Sequence, residues 1–252
     1  MKIAIISDIH GNMEALTSVL DDIRREGCEK IFCLGDLAMA GPEPSKTVSF
    51  IKNMSLEMGE NFVLIQGNTD EKLSKYSEDF YLKLSEMNKT MANAYLADLK
   101  ELEESAKIFL GSLPEKESLD LFGVKILLVH GSPRRNDENI FPGLELIKIE
   151  EMLEGVEENL IFCGHTHTPC GYQTNTNQTV VNVGSVGRPF TEEPKSCYVV
   201  LNIDEHNSVY DLKHKFVAYD YKKASDILLK RGFAGADKLA KMLEKATSRY
   251  PD

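Results

Sequence analysis

The amino-acid sequence predicts an α/β fold built on two sheets, and three observations carry that prediction. Short apolar runs rich in β-branched residues recur at 2–6, 30–34, 61–65, 125–129 and 159–163, each reading as a strand buried on both faces. Between the first two, residues 12–25 carry Met13, Leu16, Val19, Leu20 and Ile23 at helical spacing, with Gly27 placed to end the helix. The chain therefore opens as a βαβ unit. Runs at 160–163, 179–183, 196–203 and 209–216, separated by turn residues, read as strands of a second, more antiparallel sheet.

The remaining elements follow from spacing. From 71 to 110 the pattern turns helical and polar, with Phe80, Leu84, Met87, Met91, Tyr95 and Leu99 three or four apart. A helical insertion or cap at about 71–111 is expected, the alternative being a crossover that only packs. Residues 224–246 are amphipathic, with Ile227, Leu228, Leu239, Met242 and Leu243 on one stripe, and are expected to cover a sheet face. No internal repeat, low-complexity stretch or linker divides the chain, so a single domain over 1–252 is the simplest organisation.

Composition narrows the class. A hydrophobic share of 42% and a charged share of 27% are those of a folded protein rather than a disordered one. Forty acidic residues against 29 basic ones give a net charge of −11. With no Lys/Arg-rich stripe, binding to long nucleic acid is not expected, because holding a phosphate backbone relies on clustered positive charge. No apolar run approaches the roughly 20 residues of a membrane helix, and the N-terminal stretch lacks the features of a signal peptide. The five cysteines are odd in number, and several end apolar runs. Reduced, packed thiols and a cytoplasmic setting are expected.

Each of the five apolar runs is followed at once by polar residues: Asp8 and His10, Asp36, Asn68 and Asp70, His130, then His165 and His167. In open α/β sheets, sites form beyond the carboxyl ends of the strands, so these residues are expected to share one site. A single histidine there would be read first as a hydrogen-bonded loop residue. Counting only Asp8, His10, Asp36, Asn68, His130, His165 and His167, four histidines, two aspartates and an asparagine at successive strand ends are another matter. This donor mixture suits Mn, Fe, Zn or Ni, and seven donors exceed what one tetrahedral ion takes. Two ions sharing a carboxylate use them economically. Such a pair, roughly 3.5–4 Å apart, generates a hydroxide nucleophile and stabilises both oxygens of an in-line displacement at phosphorus. Gly11, Gly35, Gly67, Gly131 and Gly164 adjoin these donors, where tight turns favour a residue without Cβ.

In order, Asp8-Ile9-His10, Gly35-Asp36, Gly67-Asn68-Thr69-Asp70, His130-Gly131 and Gly164-His165-Thr166-His167 resemble the five motifs of the calcineurin-like metallophosphoesterases. Any one of them is weak and the ordered set is specific; it spans the chain to about Ile203. Ser7-Asp8-Ile9-His10-Gly11-Asn12, His130-Gly131-Ser132-Pro133-Arg134 and Gly184-Ser185-Val186-Gly187 are closest to the small prokaryotic phosphodiesterase-like branch. The resemblance implies a four-layer αββα sandwich of two mixed sheets flanked by helices. It also implies that Asp8, His10, Asp36 and His167 hold one metal and that Asp36, Asn68, His130 and His165 hold the other, with Asp36 bridging. Asp36, Asn68 and His130 carry catalysis in that reading.

Two departures matter. Thr69 stands where many relatives have a histidine that assists the leaving group, so protonation by water or a good leaving group is expected instead. After Asp36 the chain continues Leu37-Ala38-Met39-Ala40-Gly41, without the arginine that protein phosphatases of the family use. Arg134 and Arg188 remain as candidates to meet a substrate phosphate. The resulting expectation is a phosphodiesterase or phosphatase that uses two divalent ions, Mn first, on a small nucleotide-like phosphoester through a metal-bridging hydroxide. The alternatives are a non-catalytic metal-binding scaffold of the same fold, similar to the retromer subunit that has lost part of the metal site, or a nuclease. Within Cys163-Gly164-His165-Thr166-His167-Thr168-Pro169-Cys170, a zinc knuckle is disfavoured, because structural zinc sites draw spaced pairs from two segments. Neither cysteine is expected to touch metal.

Overall fold

Residues Ile3 to Ile6 of β1 (Lys2–Ile6) are all buried, which requires a central strand with both faces covered. The computed structural model describes residues 1–206 and 208–249. In it, β1 lies in a five-stranded sheet beside β2 (Lys30–Cys33), which pairs in turn with β3 (Phe62–Leu64); all three are parallel. The connections are helical, as the spacing predicts: α1 (Met13–Glu26) between β1 and β2, and α2 (Pro44–Met58) between β2 and β3. Asn12 caps α1 through the Ala15 amide, and Gly27 ends it in the left-handed conformation.

Four helices follow: α3 (Asn68–Ser74), α4 (Glu78–Met87), α5 (Lys89–Glu101) and α6 (Glu104–Gly111). The second five-stranded sheet runs in the order β4 (Lys116–Leu121), β5 (Val124–Val129), β6 (Leu160–Cys163), β8 (Thr179–Asn182), β7 (Cys170–Gln173), with β5, β6 and β8 parallel and both edges antiparallel. A short α7 (Leu146–Met152) covers its outer face through Ile149 and Met152, against Leu127, Val129, Ile161 and Val180.

One sequence expectation is corrected. The strands at 196–203 and 209–216 are β9 (Lys195–Asp204) and β10 (Val209–Ala218), and they belong to the first sheet, not the second. Strand β9 runs antiparallel to β1, with Lys2 opposite Asn202 and Ile5 opposite Val199. A hairpin satisfies its own pairing locally, so its alternation carries no information on which sheet receives its free edge. Burial supplies the reason: Val199, Leu201 and Ile203 pack with Ile3, Ile5, Leu128 and Phe162 in the apolar layer between the two sheets. The amphipathic stretch at 224–246 is likewise two helices, α8 (Tyr221–Lys230) and α9 (Ala236–Lys245), separated by a turn in which Gly232 and Gly235 have positive φ. They pack with α1 on the outer face of the first sheet. Helices, sheet, sheet and helix make the four-layer αββα sandwich. Among the described residues, no helix is long and apolar enough to cross a membrane.

Candidate metal centre

The carboxyl ends of β1, β2 and β3 in one sheet meet those of β5 and β6 in the other. The Gly164 amide donates to the His130 carbonyl at 2.8 Å, and a Cβ on Gly164 would fall 2.1 Å from Ser7 Oγ. Gly35 is required for the same reason: its φ is +91°, and a Cβ there would lie 2.1 Å from the Gly67 nitrogen. The loops that follow β2 and β3, and those that follow β1 and β6, are thus pressed together where the polar residues begin.

At these ends the backbone departs from the strand. Asp8, His10, Asp36, His165 and His167 all have φ between 46° and 66°, a left-handed conformation that costs an ordinary residue roughly 1–2 kcal/mol. In a pleated strand, residues two apart already share a face. Here the reversal keeps Asp8 beside His10 while folding both back over the strand end. The structure brings all seven sequence-predicted donors together.

Each carboxylate presents one oxygen inward and has the other fixed. Asp8 Oδ2 accepts the His165 amide at 2.9 Å; its Oδ1 is buried with no hydrogen-bond partner and lies 3.2 Å from His167 Nε2, 3.7 Å from His10 Nε2 and 3.9 Å from His130 Nε2. Asp36 Oδ1 accepts the Thr69 amide at 2.8 Å, while Oδ2 lies 3.4 Å from His130 Nε2 and 3.6 Å from His10 Nε2. Both inward oxygens therefore stand between two histidine groups. The donors form two adjacent clusters, Asp8–His10–His167 and Asp8–Asp36–His130. Asn68 Oδ1 extends the second, 3.0 Å from His130 Nε2 and 2.9 Å from His165 Nδ1.

The imidazoles are oriented by carbonyls. His10 Nδ1–H donates to Met39 O at 3.0 Å, His130 Nδ1–H to Leu34 O at 2.7 Å and His167 Nδ1–H to Arg188 O at 2.7 Å. A carbonyl only accepts, so the proton sits on Nδ1 and Nε2 faces the cluster. The Nε2 atoms of His10 and His167 are 3.0 Å apart; with both Nδ1 protons committed, two lone pairs oppose one another unless a proton or a cation sits between them. That opposition, the orphaned Asp8 oxygen and the mixed nitrogen and oxygen donors fit divalent metal.

Protonation follows the same charges. Burial opposes ionisation of Asp36, but the neighbouring His130 charge and hydrogen bond hold it down at about 2. Burial likewise opposes ionisation of Asp8, and His167 and His130 hold it well below the usual range. Burial disfavours a charged His130, yet Asp36 and Asp8 push it up to about 10. Burial lowers His167 to about 4, and burial with His130 lowers His165. A buried anionic pair thus demands positive charge at its centre.

Asp70 sits behind this layer. Its Oδ2 accepts the Asp36 and Gly67 amides at 2.7 and 3.0 Å and its Oδ1 the Leu37 amide at 2.9 Å. Thr69 Oγ1 donates to Ala38 O at 3.0 Å, so its hydroxyl is occupied away from the cluster. Arg188 borders the first cluster: its guanidinium stands 5.7 Å from the Phe190 ring, which stacks on His167, and 3.7 Å from Met91 Sδ. Arg134 is held elsewhere, its fork closed on both oxygens of Glu138 at 2.7 and 2.6 Å. Cys163 and Cys170 pack in the apolar cluster under α7, and all five cysteines are free.

Sequence reasoning missed the groups that hold the loops. Asn182 is fully buried, and its amide donates to Gly164 O at 2.7 Å and Thr166 Oγ1 at 2.9 Å. Ser185 Oγ donates to Asp8 O at 2.8 Å, and Asn12 Nδ2 donates to Gly187 O at 2.8 Å. A polar residue interrupting Val180, Val181 and Val183 was the available signal for Asn182.

The sequence pattern of the calcineurin-like phosphoesterase superfamily domain matches residues 1–206. An uncharacterized protein of Methanocaldococcus jannaschii is 32% identical over 245 residues, covering 90% of this chain and 92% of that protein. A hypothetical protein from Pyrococcus horikoshii has a similar structure, with a TM-score of 0.83 at 24% identity over 97% of this chain and 98% of that one. A metallophosphoesterase from Sphaerobacter thermophilus gives 0.75 at 23% identity over 98% and 99%. At these identities the two structures bear on the fold.

Proposed function

This chain belongs to the calcineurin-like phosphoesterase superfamily, and from that premise we propose that it is a phosphoric ester hydrolase using two divalent ions, a phosphodiesterase or phosphatase for a small nucleotide-like phosphoester. The observation that carries the reading is the pair of adjacent His/Asp clusters, joined by Asp36 Oδ2, which lies 3.6 Å from His10 Nε2 and 3.4 Å from His130 Nε2, and by the partnerless inward oxygen of Asp8. In this reading Asp8, His10, Asp36 and His167 hold one ion and Asp36, Asn68, His130 and His165 the other. Manganese is the first choice; iron, zinc and nickel suit the same donors. When bound, such a pair supplies an ionised water at neutral pH and neutralises charge on phosphoryl oxygens.

The chain's own groups prepare that chemistry. The carbonyls of Met39, Leu34 and Arg188 hold three imidazoles with Nε2 forward, and the amides of Thr69 and His165 leave each carboxylate one oxygen to offer. To hold a metal, His130 would give up the proton that Asp36 and Asp8 stabilise on it. Arg188, beside His167, is the cation that meets a substrate phosphate; Arg134 is the weaker candidate because Glu138 already occupies its fork. Thr69 offers no acid for the leaving group, which favours esters whose leaving oxygen is weakly basic or is protonated by water. A net charge of −11 favours small substrates over long nucleic acid.

The test is hydrolysis of bis-p-nitrophenyl phosphate with added Mn²⁺. Turnover is expected with metal, falling at least about a hundredfold in Asp36→Asn and His130→Ala; turnover indifferent to metal and to both substitutions would refute it. Turnover also separates the alternative of a non-catalytic metal-binding scaffold, which hydrolyses no ester even when loaded; elemental analysis gives its metal content.

A further inference from the structure

The carbonyl that orients His10 belongs to the peptide joining Met39 to Ala40, and the N–H of that same peptide donates to Asp98 Oδ2 at 2.8 Å. We propose that Asp98 and Arg231 are positioning residues for His10, acting through this peptide. The inference rests on the two-ion reading above, since it assigns them to the ion of the Asp8–His10–His167 cluster.

Three observations support it. First, the line Asp98 carboxylate, peptide N–H, peptide C=O, His10 Nδ1–H, His10 Nε2 is continuous. A charge at its far end polarises the amide and strengthens the carbonyl as acceptor, so Nε2 becomes a better donor to a cation. The other two anchored histidines lack this backing in different ways. The Arg188 carbonyl precedes Pro189, so its peptide has no N–H, and no carboxylate hydrogen-bonds the peptide of Leu34 among the described residues.

Second, the peptide needs holding. Met39 and Ala40 have φ of 90° and 60°, and Gly41 presses so close that a Cβ on it would lie 1.5 Å from the His10 carbonyl oxygen. Such a segment keeps its shape only if its surroundings impose it. Arg231 does so from the end of α8: Nη1 donates to Gly41 O at 2.7 Å, while Nη2 lies 2.6 Å from Asp98 Oδ1 and 2.9 Å from Glu101 Oε2. The guanidinium thus fixes the Gly41 carbonyl, two peptides further on, and the carboxylate that fixes the Ala40 amide.

Third, the pair is buried and comes from outside the motifs. Asp98 is fully buried on α5, and the Arg231 side chain is 9% exposed. Burying both charges is costly unless they are paired with good geometry, and nothing in the packing of α5 demands a carboxylate there. Arg231 lies beyond the residues that match the family pattern. The helices after β3 and the C-terminal helix pair therefore reach the metal cluster through one ion pair.

The experiment titrates Mn²⁺ calorimetrically into metal-free full-length protein at pH 8, for wild type, Asp98→Ala, Asp98→Asn, Arg231→Gln, Arg231→Lys and His10→Ala, with thermal unfolding of each. Wild type is expected to bind two ions. Asp98→Ala weakens one of them about 10–100-fold, the range for loss of an outer partner of a metal-bound histidine, and leaves the other within about threefold. Asp98→Asn, which keeps an acceptor for the Ala40 amide, loses less, and Arg231→Lys recovers part of what Arg231→Gln loses. On a His10→Ala background, Asp98→Asn causes no further weakening. Equal weakening of both ions, lowered melting temperature with both affinities unchanged, or the same loss on the His10→Ala background would overturn the inference while leaving the two-ion reading intact. No Mn²⁺ binding by wild type would overturn both.

Discussion

Asp70→Asn gives a direct measure of how the donor layer is held. Asp70 accepts three backbone amides, from Asp36 and Gly67 at Oδ2 and from Leu37 at Oδ1. It is fully buried, and burial together with the Asp36 charge pushes its pKa up to about 7, so the comparison belongs at pH 8, where the carboxylate is ionised. Asparagine has one acceptor oxygen. Turned to keep the Asp36 and Gly67 amides, it points an NH₂ at the Leu37 N–H, losing one hydrogen bond to a charged group and stranding a buried donor. The lost bond costs about 1.5–3 kcal/mol and the stranded amide about 1–3 kcal/mol, while at pH 8 asparagine escapes the roughly 4 kcal/mol that the raised carboxyl pKa sets against the native state, so a net change between a gain of about 1.5 and a loss of about 2 kcal/mol is expected. For a chain of this size each kcal/mol moves the melting temperature by about 2–4 °C, which predicts a shift between a rise of roughly 6 °C and a fall of roughly 8 °C at pH 8 by scanning calorimetry of metal-free protein, with the variant losing ground to wild type as pH is lowered to 5. A fall above about 10 °C at pH 8, or a variant that loses no ground to wild type toward pH 5, would refute this reasoning.

Two further outcomes follow from residues around the site. Burial raises Asp98 to about 6 against the pull of Arg231, so between the unfolded value near 4 and 6 the native state binds the extra proton. Stability then falls as pH rises through that window, by up to about 3 kcal/mol; the unfolding free energy of wild type minus Asp98→Asn should decline from pH 4 to 7, and a flat difference refutes it. Cys163 and Cys170 lie in the apolar cluster under α7, so the double replacement by serine should leave metal content by elemental analysis at the wild-type level, whereas His165→Ala or His167→Ala should lower it. A double variant purified without metal would count against the assignment.

The strand ends were legible because the chain marks them twice, by an apolar run that stops and by donor residues that begin. Asp8, His10, Asp36, Asn68, His130, His165 and His167 could be gathered from that repetition alone. The partner of a hairpin could not: β9 and β10 pair with each other the same way in either sheet, and only the packing of Val199 and Leu201 against Ile3 and Phe162 decides between them. Asp98 was readable in part. It lies on the stripe of α5 that buries Ala94 and Tyr95, and a carboxylate on a buried stripe implies a buried partner. Arg231 carries no such mark, since an arginine at the end of an amphipathic helix is ordinarily solvated.

The left-handed residues explain why so many polar side chains stand behind the donors. Five of the seven candidate donors, with Met39 and Ala40, occupy a backbone conformation that is unfavourable for residues with a side chain. A left-handed residue turned back over a strand end leaves peptide groups without strand partners; neighbouring loop carbonyls take some, as Gly35 O takes the Asp8 amide and Asp36 O the His10 amide, and side chains take others. That is what Asp70 does for Asp36 and Leu37, Ser185 for Asp8, Asn182 for Gly164, and Asp98 with Arg231 for Ala40 and Gly41. The same bonds offset the strain and fix the direction of the donors. Substitution of these backing residues should therefore change metal affinity and stability together, whereas substitution of a donor such as His167, whose ring faces the cluster, should change affinity more than stability.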